Sequence, residues 1–360
     1  MSINGPFFQG WLARTTDHDN GRSFIFIVGS FSSKSSSKYD EHYVFCGLGL
    51  PSSEGGHQQY ELFPDSSLVT ITGSKPSSPS LLQQNPTSRD INITWSALGY
   101  GKFQFNNKYC SADFRFSNLH MKFNTTNRLP WLKNNENAGP EGWLGYTTLL
   151  PCHYYVHSVG SDCSYSLKLL DQNLLIKGNG YTHIEGNHGN FFPDGWVWSQ
   201  AIAPSNSASL GIVAGKFTIG PISPLNFIIY FRKNDKIWNF GSTQMDYVSY
   251  DIDSSNGIVK IVALSPTRDR KVKVEISITK PFGKAFGKSV HIPTPRGFSN
   301  TPGCRESYSA KAVVYCYERS NDNKFVEVEQ QIFPLTCLEF GGSYCNVGRI
   351  KSNQIESLFT

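Results

Sequence analysis

Hydrophobic and polar residues alternate with a period of two in many short runs along this 360-residue chain. In the run at residues 271–278, Val272, Val274 and Ile276 fall on one face, and lysines, a glutamate and a serine fill the other. A strand with one buried face needs this alternation. The pattern therefore predicts a surface strand here and not a basic patch.

Similar runs occur at residues 23–28, 225–232, 311–317 and 325–332, and each ends in a cluster of Gly, Pro, Asn, Asp or Ser. Short strands separated by turn residues are typical of β-sandwiches and β-barrels. We find no apolar stripe with the 3.6-residue period of a four-turn helix. The sequence predicts an all-β protein with few helices.

The composition fits this prediction and indicates two domains. Charged residues make up only 17% of the chain, whereas it has 32 glycines and 19 prolines, which favour turns over long surface helices. A chain of this length can bury two cores. We expect domains at residues 1–180 and 181–360, and loops in the low-complexity stretches 30–38 and 73–89 and in the irregular stretch 133–142.

Charge and cysteine content exclude several classes of protein. The net charge of +5 is small for a chain of this length, and the basic residues are scattered along the sequence. We therefore expect no nucleic-acid partner. We find neither a signal peptide nor a run of about 18 apolar residues, which predicts a cytoplasmic protein. The eight cysteines form no Cys-x-x-Cys pair and are interpreted as reduced and mostly buried thiols.

Residues 181–200 hold the highest density of potentially functional side chains in the chain. Histidines, carboxylates and tryptophans there surround three glycines and a proline. Polar groups clustered with aromatic residues indicate a functional site. His183, Glu185 and His188 do not have the helical His-Glu-x-x-His spacing of zinc enzymes, and the segment is too rich in glycine for a helix. We therefore expect no metal there.

Residues 184–200 resemble the signature of the tocopherol cyclase family, in which Glu-Lys-Asn-Trp-Gly is followed by Phe-Pro and Trp-x-Trp-x-Gln. Residues 5–11 resemble the family's opening motif and residues 23–26 the strand after it. Further similar segments are residues 128–130, 142–143 and 150–153 in the middle, and 304–305 and 339–342 near the end. The similarity covers most of the chain.

This resemblance implies two lipocalin-like antiparallel β-barrel domains. It also implies an enzyme that closes a chromanol ring from a prenylated hydroquinone or related isoprenoid phenol without any cofactor. The expected partner is a hydrophobic small molecule, and peripheral contact with a membrane or lipid body is compatible with such a substrate. The oligomeric state is not indicated.

Ring closure of this kind requires a proton for an isolated alkene, a carbocation kept from water and a phenol oxygen that attacks it. A desolvated carboxylic acid is a plausible donor. Glu185 coincides with the family's glutamate and is favoured over Asp194, which lies in a Pro-Asp-Gly turn. Glu185, Asp194 and His188 are the candidate catalytic residues.

The candidate substrate-binding residues are aromatic or polar. Trp196 and Trp198 are two apart, so their rings point to one side of a strand, expected to be the barrel interior, where π faces would stabilise a cation. Trp11 is expected to line the same pocket. Asn187 and His188 are expected to orient the substrate oxygen or to take its proton, and His153 is expected to line the same cavity.

Departures from the family pattern leave alternatives open. The family's lysine and tryptophan are Gly186 and His188 here, and the glutamate of its opening motif is Gln9. A lipocalin-like carrier of a hydrophobic ligand would use the same scaffold without catalysis. Hydration or isomerisation of a terpenoid alkene would use the same acid.

Overall fold

The computed structural model describes residues 7–32, 41–73, 92–133, 135, 138–147, 150–217, 225–278, 290–294, 296–345 and 348–352. Within these ranges, every regular element is a β-strand or a short 3-10 helix. The strands form two curled antiparallel sheets, so the predicted all-β fold is confirmed.

The first sheet has 11 strands in the order β4-β3-β2-β1-β11-β10-β9-β8-β7-β6-β5. They are β1 (Phe7–Asp17), β2 (Arg22–Ser32), β3 (His42–Gly49), β4 (His57–Leu62), β5 (Val69–Gly73), β6 (Asn92–Ala97), β7 (Gly101–Asn106), β8 (Cys110–Arg115), β9 (Leu119–Thr126), β10 (Cys152–Leu169) and β11 (Leu174–Gly189).

The second sheet has 10 strands in the order β15-β14-β13-β12-β22-β21-β18-β17-β16-β23, and β19 and β20 form a separate hairpin. They are β12 (Gly195–Ile202), β13 (Ala208–Lys216), β14 (Leu225–Lys233), β15 (Lys236–Gly241), β16 (Tyr247–Asp253), β17 (Ile258–Leu264), β18 (Arg270–Ile278), β19 (Pro293–Thr294), β20 (Gly297–Phe298), β21 (Cys304–Arg319), β22 (Phe325–Gly342) and β23 (Arg349–Lys351).

Six 3-10 helices lie among the described residues. They are Ser52–Glu54, Ser66–Leu68, Gly142–Tyr146, Pro204–Asn206, Ser242–Gln244 and Ser343–Cys345. No helix in the described ranges has the length and apolar character needed to cross a bilayer.

The two sheets repeat one connectivity. In each, the first strand along the chain pairs with the second strand on one side and with the last long strand on the other, as β1 does with β2 and β11, and β12 with β13 and β22. The chain folds into two compact units, unit 1 (Met1–Phe192 and His291–Thr301) and unit 2 (Pro193–Val290 and Pro302–Thr360). Residue 180, where we expected the division, lies inside β11, and the units divide after it.

Period-two alternation produces both cores. In β18, Val272, Val274 and Ile276 are buried in the core of unit 2, as the sequence predicted. Lys273 and Glu275, which alternate with them, lie on the other face. The strands expected at residues 23–28, 225–232, 311–317 and 325–332 are confirmed as parts of β2, β14, β21 and β22. All eight cysteines are buried free thiols, as expected.

Two expected loops lie largely outside the described residues, because 33–40 and 74–91 are not described. Residues 30–32 continue β2, and Gly73 ends β5. The stretch at 133–142 is described only in part, and Gly142 begins a 3-10 helix.

Candidate active site

The strand period divides the predicted site residues of unit 1 between two faces of its sheet. Trp11 and Ile184 belong to the hydrophobic core of unit 1, and we call their side of the sheet the core face. Trp11 pairs with Gly186, and the next pair along the strands is Leu12 with Glu185. Because successive side chains alternate, Glu185 lies on the opposite side, the outer face.

Glu185 is buried on the outer face, with 2% of its surface exposed. Its Oε2 atom accepts a hydrogen bond from the Tyr154 hydroxyl at 2.6 Å and lies 2.8 Å from Nε2 of His183. The tautomer with its proton on Nε2 makes His183 a second donor to this oxygen. We call Tyr154, His183 and Glu185 the Glu185 triad.

Strand register explains how the triad forms. His183 precedes Glu185 by two residues in β11 and so shares its face. Tyr154 is paired with Asn187 across the β10–β11 ladder, and its long side chain reaches the diagonal neighbour Glu185. Tyr154 was not predicted from the sequence, and His183 was considered only as a metal ligand. The spacing of His183 from Glu185 was the available signal for its role.

The surroundings of the triad are apolar on two sides and cationic on one edge. Leu12 and Val156 are the residues directly opposite Glu185 on its two neighbouring strands. Arg14 is opposite His183, is fully buried, and its guanidinium donates to the Thr16 hydroxyl. An arginine remains charged in proteins, so a fixed positive charge belongs to this face, two residue pairs along the ladder from Glu185.

His188 and His153 lie on the core face and not with Glu185. They are directly paired in the β10–β11 ladder, and their rings stack with centroids 5.1 Å apart. Glu141 accepts from the Tyr154 backbone N–H at 2.7 Å and lies 2.8 Å from Nδ1 of His153. Glu141 was missed by the sequence analysis because it lies outside the strand and precedes the Gly142–Tyr146 helix.

Burial keeps the His188 ring largely uncharged. Desolvation, aided by the neighbouring His153, lowers the pKa of His188 to about 3. Burial also raises the pKa of Glu141, although its hydrogen bond with His153 opposes this shift. His188 is therefore a neutral imidazole at physiological pH.

Three further predicted residues fall in different places. Asn187 shares the outer face with Glu185 and is half-buried, so it is separated by the sheet from His188, its expected partner. Asp194 is exposed in the connection between β11 and β12, where its carbonyl accepts from the Ser343 N–H. That exposed turn lacks the desolvation a carboxylic proton donor needs, so the structure does not support Asp194 as an acid.

Trp196 and Trp198 lie in β12 of unit 2. We expected both rings in the barrel interior, but they point away from the core of unit 2. Val197, between them, belongs to the core of unit 2, so alternation places both indoles on the other face. The Trp196 Nε1–H donates to Glu339, and the Trp196 ring lies over Gly341. Both indoles are buried.

A second group of carboxylates lies beside these indoles in unit 2. Glu306 and Glu339 face each other directly in the β21–β22 ladder, and Tyr308 donates to Glu306 at 2.7 Å. The Cys304 thiol and the two carboxylates have ligand atoms within 4.8 Å of one another. Among the described residues, these three side chains have a spacing suited to a metal ion. This group was not predicted from the sequence.

A family model described as "Tocopherol cyclase-like" matches residues 5–342 of the chain. The chain belongs to the tocopherol cyclase-like family. Nearly the whole chain takes part in the match, and the Glu185 triad and the Trp196–Glu339 pair both lie within it. No curated protein sequence matches this member of the family.

Two solved structures resemble this tocopherol cyclase-like protein in fold. CghA, crystallised with Sch210972, has a TM-score of 0.60 at 10% identity, covering 93% of this chain and 88% of that chain. A putative AttH from Nitrosomonas europaea has a TM-score of 0.53 at 12% identity, covering 95% of this chain and 93% of that chain. At these identities the likeness establishes the shared lipocalin-like double-barrel fold.

Proposed function

We propose that this protein is a cofactor-independent cyclase that closes a chromanol ring from a prenylated hydroquinone or a related isoprenoid phenol. Glu185 would supply the proton. The observation that carries this proposal is the Glu185 carboxyl group itself, which is 2% exposed and held on one oxygen by Tyr154 and His183.

The reaction balances without a cofactor. The carboxylic proton of Glu185 adds to the less substituted alkene carbon, which leaves a tertiary carbocation and a carboxylate. The phenol oxygen then attacks the cation and forms the C–O bond of the ring. The phenol proton returns to the carboxylate, so the substrate and product are isomers and the acid is regenerated.

The surroundings of Glu185 suit each step. Leu12 and Val156 flank the carboxyl group and limit its contact with water, which would otherwise trap the cation. Once the proton has left, the carboxylate is stabilised by the Tyr154 hydroxyl, which donates to one of its oxygens. Nε2 of His183 contacts the same carboxyl oxygen of Glu185, and the His183 ring provides a path for the returning proton.

Turnover in heavy water tests this proposal. The purified protein would be incubated in D₂O with an open-chain prenylated hydroquinone. The products would be separated, and their masses measured by mass spectrometry. Cyclisation by this route gives an isomer of the substrate with one deuterium on the carbon of the former alkene. A protein that retains the hydroquinone unchanged is instead a carrier, and a product heavier by one water shows hydration.

A further inference from the structure

A group of three metal-ligating side chains in unit 2 has no part in the proposed cyclisation. The group comprises Cys304 and Glu306 in β21 and Glu339 in β22, and their ligand atoms lie within 4.8 Å of one another. Glu306 is fully buried, and Cys304 and Glu339 are 2% and 8% exposed. We call this group the Cys304 cluster. It belongs to unit 2, whereas Glu185 belongs to unit 1.

Strand geometry explains why these side chains converge. Cys304 and Glu306 are two residues apart in β21 and so point to the same face of the sheet. Glu339 is directly opposite Glu306 in the next strand, and Gly341 is opposite Cys304. Because Gly341 has no side chain, the Trp196 ring lies over that position. The indole therefore forms an apolar wall beside the cluster.

Donors outside the cluster hold each carboxylate in place. The Tyr308 hydroxyl donates to Oε2 of Glu306 at 2.7 Å, and the indole N–H of Trp196 donates to Oε1 of Glu339. Outer hydrogen bonds of this kind orient the ligands of metal sites. Because a carboxylate offers about four lone-pair sites, each of the two can accept its bond and still coordinate an ion.

The surroundings of the Cys304 thiol favour a positive charge. Burial raises the pKa of this thiol well above its ordinary value, and Glu339, Glu306 and Cys345 raise it further. These three neighbours are all acidic groups, so a cation placed among them would be stabilised by each one. A bound metal ion is such a cation, and it converts a coordinating thiol to the thiolate.

The donor set of one sulfur and two carboxylates indicates which metal fits. Mg²⁺ and Ca²⁺ take oxygen ligands and copper(I) prefers sulfur, whereas Zn²⁺ accepts both thiolate and carboxylate. A tetrahedral zinc ion holds such ligand atoms about 3.4–3.6 Å apart, so the side chains need to close by no more than about 1.5 Å. Three protein ligands leave the fourth position for a water molecule or a ligand oxygen.

We propose that the Cys304 cluster binds one Zn²⁺ ion, with Cys304 as the thiolate ligand and Glu306 and Glu339 as the carboxylate ligands. The ion offsets the charge of three buried acids, and the thiol proton is released to solvent on binding. Tyr308 and Trp196 hold the carboxylates in the orientation that coordination requires. The site does not rest on the proposed cyclisation.

Zinc titration of the reduced, full-length protein tests this site. We expect one Zn²⁺ per chain, and X-ray absorption at the zinc edge should show one sulfur ligand at about 2.3 Å together with oxygen ligands at about 2.0–2.2 Å. Because these measurements use the wild-type protein, they remain valid if a variant folds poorly. A protein that binds no zinc, or that holds it without sulfur or with several sulfurs, would overturn the proposal.

Variants identify the ligands. Cys304→Ser and Glu306→Gln should each weaken zinc binding at least about 100-fold, and Tyr308→Phe, which removes an outer hydrogen bond, about tenfold. Cys316→Ser and Glu318→Gln make the same changes elsewhere in β21 and should bind zinc as the wild type does. Zinc binding that survives in Cys304→Ser, or that is lost equally in Cys316→Ser, would assign the ion to other residues and overturn the proposal.

Discussion

The hydroxyl of Tyr154 donates a 2.6 Å hydrogen bond to the carboxyl group of Glu185, from one strand of unit 1 to its neighbour. The same carboxyl oxygen lies 2.8 Å from the His183 ring. A buried carboxyl group with two polar partners on one oxygen has a fixed orientation and a ready route for proton transfer. This relationship gives the proposed acid its geometry.

Tyr154→Phe tests the role of that hydroxyl. We expect kcat for cyclisation to fall about 10- to 100-fold, because the carboxylate formed after proton transfer loses a donor, while stability changes by only about 1 kcal/mol. Steady-state kinetics and denaturant unfolding measure the two effects. Tyr317→Phe, at a half-buried position of unit 2, is the matched control. A wild-type kcat in Tyr154→Phe would remove Tyr154 from the mechanism.

His188 should make the stability of the protein depend on pH. Its pKa is about 3 in the folded protein and about 6.5 in an unfolded chain, so as the pH falls below about 6.5 the unfolded state gains a proton that the folded state cannot. Stability is therefore lost as the pH falls. Between pH 7 and pH 5 this amounts to about 2 kcal/mol.

Denaturant unfolding at several pH values measures this contribution. His188→Gln should lose the His188 share of the slope, whatever its stability at neutral pH, while His157, whose pKa is also lowered by burial, keeps its own share. His120→Gln, which alters a surface histidine, should keep it. An unchanged slope in His188→Gln would mean that position 188 is accessible to solvent or protonated in the folded state.

The packing of Trp196 over Gly341 predicts the effect of a single methyl group. A Cβ atom at position 341 would overlap the indole ring, so Gly341→Ala should destabilise the protein by about 1–3 kcal/mol. Gly211→Ala is a matched control in β13, two strands away in the same sheet, since none of the atoms around it lies within 4 Å of its added carbon. Equal unfolding free energies for the two variants would contradict the placement of this indole.

The sequence predicted the strands well but not the faces of the long ones. Alternation in β18 is clear because one side is solvated, and its buried valines were identified correctly. In β11, residues 182–186 are all buried, so no polar face marks which side chains enter the core. For this reason Glu185, His188 and Trp11 were placed in one pocket, although the sheet separates the first from the other two.

Contacts between residues distant in sequence could not be predicted, for a different reason. The contact of Tyr154 with Glu185 depends on the β10–β11 register, which shifts at irregularities just beyond Val156. The contact of Glu141 with His153 depends on a connection with no repeating pattern. The family motif still indicates Glu185 as a candidate, because a motif marks a position in the sequence without requiring knowledge of the residues in contact with it.

Glu185→Gln gives the most direct test of the central claim, that the Glu185 carboxyl group protonates the substrate. The variant keeps the shape of the side chain and removes the acid, and Asp113→Asn makes the same change at a surface carboxylate. In single-turnover reactions with a prenylated hydroquinone, we expect Glu185→Gln to slow ring closure by about 10²- to 10⁴-fold while binding substrate normally, and Asp113→Asn to match the wild type. Ring closure by Glu185→Gln within a few-fold of the wild-type rate would contradict the account.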